Sequence, residues 1–285
     1  MTRPTAPIDF LKGHGTENDF VLLPDREGTL DLDAAQVRAL CDRRSGIGGD
    51  GVIRIAPSGD GDHFLMDYRN ADGSLAEMCG NGARLFAHFL YTEGWVPVGP
   101  FRFHTRGGLR EARRVDDGDI AIGMGSATVG APATTAARLH DGSWQTFEGV
   151  AADVGNPHLV VHTDVDLGEL DLTVAPRYDA AAFPDGVNIE FVNVRAADNV
   201  SMRVFERGVG ETQSCGTGTV AVAAAHLAAA GRAVGTVTVT VPGGVVRVDV
   251  DPAGSTLTGP AVIVGRGQLD PAWWTRASAS GSALG

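Results

Sequence analysis

Two stretches of this chain, 136 residues apart, carry one short pattern. Cys79-Gly80-Asn81-Gly82 recurs as Cys215-Gly216-Thr217-Gly218, and each is followed by a helical run closed by a glycine, Gly94 and Gly231. The register continues on both sides. Thr105-Arg106-Gly107-Gly108 falls on Val241-Pro242-Gly243-Gly244 at the same offset, and Asn18 and Asp50 fall on Asn156 and Asn188 at an offset of 138. Matches that keep their order with a two-residue drift mark a duplicated unit, and a duplication restricts the architecture more than any local propensity does. The chain reads as two homologous halves, residues 1–120 and 121–270, and a C-terminal segment, 271–285. The small polar end of that segment, from Ala277, is expected to be disordered.

Each half repeats one plan. Short β-rich runs come first: Phe20–Leu23, Gly51–Ile55 and Phe64–Arg69, then His158–His162, Asn188–Val194 and Ser201–Arg207. The Cys-Gly-x-Gly turn and one buried helix follow, with Leu85, Phe86, Phe89 and Leu90 forming an apolar stripe at helical spacing. Further strands close each half, one pair reading as a hairpin around Pro242-Gly243-Gly244. The expected fold is α/β of the α+β type. It has two pseudo-symmetric halves, each a mainly antiparallel sheet wrapped around a central helix, with the active site in the cleft between them.

The first N–H groups of a helix have no intrahelical partner and carry the positive end of its dipole. A Gly-x-Gly there admits an anion close to the backbone, and a thiol there has its thiolate stabilised, below its ordinary ~8.5. One such thiol suggests a nucleophile. Two, related by an internal repeat, suit inversion at a carbon alpha to a carboxylate: one thiolate removes the proton, and the opposite thiol returns one to the other face. A lone cysteine at a strand-to-helix turn is more often a small buried residue; the twinning of Cys79 and Cys215 favours catalysis. Cys41 has no twin and reads as structural. A disulfide between Cys79 and Cys215 would consume the base.

Other chemistries find less support. A net charge of −12 argues against a nucleic-acid partner. The first twenty residues lack an apolar run and no stretch is long enough to span a membrane, so a cytoplasmic location is expected. Three dispersed cysteines make neither a disulfide framework nor a zinc spacing, and no metal site is expected. Lys12 is the only lysine, which leaves Schiff-base chemistry one candidate. Gly46-Ile47-Gly48-Gly49-Asp50-Gly51 matches a dinucleotide fingerprint, but a strand follows it where a helix is required. Asn18, Asn70, Asn156 and Asn188 lie at strand edges or turns, where they could read ammonium and carboxylate groups. Glu206-Arg207 is the repeat counterpart of Asn70-Ala71.

At these residues the chain resembles the diaminopimelate epimerase family. Asn70-Ala71-Asp72-Gly73-Ser74, followed by Cys79-Gly80-Asn81-Gly82-Ala83-Arg84, matches the family signature around its first cysteine. Gly155-Asn156-Pro157-His158, Glu206-Arg207-Gly208 and Cys215-Gly216-Thr217-Gly218 match in order, and the likeness runs from about Ile8 to Gly267. The resemblance implies a cofactor-independent epimerase, homodimeric, acting on LL-2,6-diaminopimelate to give the meso isomer in lysine and peptidoglycan precursor biosynthesis. It implies that Cys79 and Cys215 transfer the proton. Gly80, Asn81, Gly216 and Thr217 would hold the reacting carboxylate. Asn18, Asn70, Asn156, Asn188, Glu206 and Arg207 would read the distal amino-acid group, and His158 and Glu206 would tune the thiols. Related proline-type epimerases and racemases often carry His where Asn81 stands. The chain has Gly51 where the family often has glutamine.

Overall fold

The structure is a computed structural model and describes residues 7–115 and 117–279. In chain order the elements are β1 (Ile8–Gly15), β2 (Asn18–Pro24), α1 (Ala34–Cys41), β3 (Gly51–Pro57), β4 (Phe64–Asn70), α2 (Gly80–Thr92), β5 (Phe101–Thr105), β6 (Gly108–Arg114), β7 (Ile120–Gly125) and β8 (Thr128–Arg138). They continue with β9 (Trp144–Asp153), β10 (Pro157–His162), β11 (Arg177–Tyr178), β12 (Asn188–Ala196), β13 (Asn199–Glu206), β14 (Gly210–Thr212) and α3 (Gly216–Ala229). The chain ends with β15 (Gly235–Val241), β16 (Gly244–Asp251), β17 (Gly254–Gly259), β18 (Val262–Leu269) and α4 (Pro271–Ala279). No helix among the described residues is long and apolar enough to cross a membrane.

The chain forms two compact units, one of residues up to Ile120 together with those from Pro260, the other of Ala121–Gly259. In the first, neighbouring strands run β18-β1-β2-β3-β4-β5-β6, and the successive pairings are antiparallel, antiparallel, parallel, antiparallel, parallel and antiparallel. In the second, β8-β9-β10-β12-β13-β15-β16 repeats that series without exception. The repeat seen in the residues is therefore a repeat of topology. Each parallel step needs a crossover rather than a tight turn. In each unit the central helix supplies the second of these, joining β4 to β5 and β13 to β15.

Each helix packs inside its own sheet. α2 lies against β1, β2, β3, β4, β6 and β18, and α3 against β8, β9, β10, β12, β15, β16 and β17. From Gly218 to Leu227 every side chain of α3 is buried, including all of Val220–Ala225. A helix apolar all round belongs in an interior, and its alanines let the strands approach. A second cluster in the same unit gathers Phe147, Leu159, Val161, Leu170, Ile189 and Phe191.

The segment after Gly259 departs from the sequence reading, which placed residues up to 270 in the second half. β18 pairs along the whole of β1, from Ile8–Leu269 to His14–Val262, and so completes the first unit. Leu269 and Trp274 enter a cluster with Val21, Leu40, Cys41 and Val52. Burial of Trp274 holds α4 in place, and residues 277–279, expected to be disordered, are its last turn. Residues 280–285 lie outside those described. Cys41 is part of this cluster, and burial pushes its thiol up to about 12, which agrees with a structural role. Trp274→Ala should lower the stability of the first unit by about 3–5 kcal/mol in urea unfolding; a loss below about 0.5 kcal/mol would mean that α4 is dispensable.

Candidate active site

Cys79 and Cys215 hold equivalent places, each the N-cap residue of a central helix in extended backbone conformation. Their surroundings differ.

In the first unit the site is built on the β1–β2 hairpin. Its two loop residues, Thr16 and Glu17, have φ of 48° and 61°, the arrangement of a type I′ turn, adopted here without glycine. The strained turn is clamped. His14 Nδ1 accepts from the Glu17 N–H (3.2 Å), and the buried Thr16 hydroxyl accepts from Arg84 Nη2 (3.0 Å). Asn18 follows as the first residue of β2. Its Nδ2 donates to Asp50 Oδ2 (2.7 Å), which turns Oδ1 toward the helix mouth. There Oδ1 accepts from Cys79 Sγ (3.6 Å) and Asn81 Nδ2 (3.2 Å). Asp50 is held in turn by Arg43 (2.8 Å). Lys12 is engaged by Asp19 (2.5 Å), so the one Schiff-base candidate sits in an ion pair.

Arg84 lies one turn behind the thiol and is fully buried. It donates to Thr16 and, through Nε, to the Pro260 carbonyl (3.2 Å), while Nη1 has no hydrogen-bond partner. Burial lowers its pKa to about 10, so it stays cationic at neutral pH, and the opposing charges it feels are those of Cys79 and Asp119. A hydrogen-bonded chain runs from Arg84 through Thr16, Asn81 and Asn18 to Cys79.

Asn70 ends β4, opposite Gly51 on β3. It accepts from the Tyr68 hydroxyl (2.9 Å) and donates to Ser74 Oγ (3.0 Å). Gly51 has no room for a side chain: a Cβ there would lie 2.5 Å from the Arg69 carbonyl and 2.6 Å from the Tyr68 ring. The Tyr68 ring fills the space beside Gly51, and its hydroxyl orients Asn70.

The second unit surrounds its thiol with acids. Glu206 Oε1 accepts from the Thr212 hydroxyl, and its carboxylate is also hydrogen-bonded to Cys215. Cys215 Sγ accepts from the Gly218 N–H (3.4 Å) and lies 3.6 Å from Thr217 Oγ1. Glu190 sits beneath the first turn of α3, since a Cβ on Gly218 would lie 2.6 Å from its Oε1. Only glycine lets that carboxylate approach. Glu190 pairs with His158 Nδ1 (2.6 Å), both fully buried, and its Oε2 has no partner. His158 Nε2 faces Asn156 Oδ1 (3.0 Å), and Asn156 Nδ2 donates to Thr217 Oγ1 (3.4 Å). Both ring nitrogens thus face side-chain oxygens. Burial, then Glu206 and Glu190, push the Cys215 thiol well up, and burial also raises Glu206. Asn188 donates to the Pro157 carbonyl (3.3 Å) and accepts from the Arg207 N–H (2.9 Å), while the Arg207 guanidinium reaches the Asp185 carbonyl (2.8 Å). A cavity of about 640 Å³ lined by Leu172, Thr173, Ala175, Phe205 and residues 208–211 includes neither thiol in its lining.

Sequence reasoning thus named Asn18, Asn81, Asn156, His158, Glu206 and Thr217, each of which is in the network of its own thiol. It missed Thr16, Asp50, Tyr68, Arg84 and Glu190. For Glu190 a signal existed, an acid inside the apolar run of β12.

The backbone matches a class of solved structures that share this fold. A hydroxyproline epimerase from Agrobacterium vitis aligns with a TM-score of 0.67 at 17% identity, covering 96% of each chain. A phenazine biosynthesis protein of the PhzF family from Enterococcus faecalis aligns at 0.64 and 9%, covering 93% of this chain and 100% of the other. At such identities the likeness is one of fold. Sequence is more specific. The diaminopimelate epimerase family matches residues 10–130 and 150–264. The diaminopimelate epimerase of Corynebacterium glutamicum is 48% identical over 273 residues, 92% of this chain and 98% of that protein. That of Mycobacterium avium is 47% identical over 293 residues, 95% and 99% of the two. The chain belongs to the diaminopimelate epimerase family.

Because Glu206 and Glu190 oppose ionisation of Cys215, this thiol should be alkylated slowly at neutral pH in Cys79→Ser protein. Glu206→Gln removes one negative charge and should move the pH midpoint of iodoacetamide labelling downward. An unmoved or raised midpoint would show that Glu206 does not act on the thiol.

Proposed function

We propose that the protein interconverts LL-2,6-diaminopimelate and meso-diaminopimelate by two-base proton transfer, with Cys79 and Cys215 as the catalytic pair. The observation that carries the reading is the repeat itself: two topologically identical units, each with a cysteine at the N-cap of its buried helix. Inversion at one α-carbon needs a base on one face and an acid on the other, and the duplication provides one thiol for each task.

The electrostatics of each unit divide the labour. Cys79 lies at a helix N-terminus near the buried Arg84 cation, which favours its thiolate. Cys215 lies against Glu206 and above Glu190, which favour its thiol. From the LL isomer, the Cys79 thiolate takes the α-proton and Cys215 delivers its own to the opposite face. The protonated Cys79 and the ionised Cys215 then suit the reverse reaction. Negative charge that develops on the substrate carboxylate is stabilised by backbone N–H groups at the two helix starts, Gly80 and Asn81, Gly216 and Thr217. Asn18 and Glu206, hydrogen-bonded to Cys79 and Cys215, orient and tune those thiols, while Asn156 acts on Cys215 through Thr217 and His158 through Glu190. Asn70, Asn188 and Arg207, fixed at strand ends, are assigned to the distal amino-acid group. Arg84 is a positioning residue, acting on Cys79 through Thr16, Asn81 and Asn18. No step calls for a cofactor. A homodimer in the cytoplasm, with neither a nucleic-acid nor a membrane partner, completes the reading, supported by the family and by the acidic composition.

Incubation of LL-diaminopimelate with the reduced protein in D₂O should place deuterium at one α-carbon and form the meso isomer without added cofactor. Absence of exchange would sink the proposal. Cys79→Ala and Cys215→Ala should each lower kcat by about 10²–10⁴-fold or more; full activity in either excludes the two-base scheme. In Cys215→Ser protein, Arg84→Met should raise the pH midpoint of Cys79 alkylation, with partial rescue in Arg84→Lys. An unmoved midpoint in a folded Arg84→Met protein would leave Arg84 a purely structural role.

A further inference from the structure

Three side chains with metal-ligating atoms meet in the first unit, and none belongs to the thiol site. Asp60 stands in the turn between β3 and β4, and His63 immediately precedes β4. His104 lies on β5, opposite Leu65 of β4 in the parallel pairing. Asp60 Oδ2 is 2.8 Å from His63 Nδ1 and 2.8 Å from His104 Nε2. The three donor atoms lie within 4.8 Å of one another. The two rings meet edge to face, with centroids 5.4 Å apart.

The carboxylate is oriented by its other oxygen. Asp60 Oδ1 accepts from the Ser58 hydroxyl, the Asp62 N–H (3.0 Å) and the His63 N–H (3.2 Å). These bonds account for the turn by themselves. They do not call for two imidazoles, from separate places in the chain, converging on Oδ2. Outer hydrogen bonds that fix the ligating oxygen are the usual support of a metal site. A cavity of about 290 Å³, lined by Asp60, His104, Ser58 and Thr105 among others, leaves room for solvent on a bound ion.

We propose that Asp60, His63 and His104 form a site for a late first-row divalent cation, with Zn²⁺ the best match and water completing the coordination. Two imidazole nitrogens and one carboxylate oxygen suit zinc and its neighbours, whereas Mg²⁺ and Ca²⁺ prefer oxygen-rich shells. With metal–ligand lengths of about 2.0–2.2 Å, tetrahedral donors stand roughly 3.4 Å apart. The present N···O separations open to that value by small rotations of side chains that are about one-third exposed. Each neutral imidazole moves its proton to the ring nitrogen facing away, His63 Nε2 and His104 Nδ1, and offers its freed lone pair to the ion. The ion would tie the turn to β4 and β5, whose direct pairing consists of Phe64–Phe103 and Leu65–His104. A cation that binds the native state and not the unfolded chain stabilises it by mass action.

The test is a titration of full-length Cys79→Ser/Cys215→Ser protein with Zn²⁺ against a chromogenic chelator, so that the catalytic thiols do not compete. One ion per chain and a Zn²⁺-dependent rise in Tm are expected. His63→Gln and His104→Gln should each weaken binding at least tenfold and abolish the rise, while His140→Gln, at an exposed histidine elsewhere, should change neither. Failure of the parent to bind, or undiminished binding in both variants, overturns the proposal. If a glutamine variant melts early without metal, Asp60→Asn, which keeps an acceptor for the turn, must lose binding in its place. The site shares no residue with the epimerase reading, so epimerase activity in intact His63→Gln protein tests that reading separately.

Discussion

Each unit is organised around a helix that starts inside a sheet. A helix start within a sheet brings N–H groups that lack intrahelical partners, and the positive end of the helix dipole, into a largely buried place. Strands close enough to bury α2 and α3 require small residues at the point of contact, hence the alanines of α3 and the glycines of both mouths. The same closeness lets Glu190 sit against Gly218 and lets the β1–β2 hairpin reach Asn81 and Arg84. Fold and candidate chemistry thus rest on one constraint, a helix enclosed by its own sheet with a cysteine at its N-cap.

The duplication produced equivalent backbones and unlike charges. Behind Cys79 stands a guanidinium with an unpartnered nitrogen, and behind Cys215 stand two carboxylates and a histidine. A buried charge of this kind is a poor device for stability, since its desolvation is offset only by ideal partners. Here such charges lie where they bias a thiol toward one protonation state. Equivalent backbones with opposite electrostatics are what the proposed transfer between the two thiols calls for.

The fold was legible in the residues to the extent that the duplication was. Strand runs, the two Cys-Gly-x-Gly helix mouths and the hairpin at Pro242-Gly243-Gly244 all stand where the pattern put them. The return of β18 to β1 was not legible, because strand pairing between residues 250 positions apart leaves no local trace. Nor was α4: the polar small residues from Ala277 read as a tail, while Trp274 anchors them. Within the site, the asparagines and Glu206 were visible from their places beside the repeats. Arg84 stood in the quoted signature yet had no readable role, since its burial and its bond to Thr16 show only in the folded chain. Tyr68 was likewise unreadable until the space beside Gly51 was known.

What the sequence by itself determined is the doubled plan, the two thiols, and the glycine and alanine content that lets a helix be enclosed. These follow from residue identity and order, which duplication preserves. The tertiary structure alone decided which side chains meet the thiols, which charges are stranded in the interior, and where the chain's end is used. Those outcomes depend on burial and on distances of a few ångströms between residues remote in sequence. At that range a buried charge alters a neighbour's protonation, and no pattern along the chain records it.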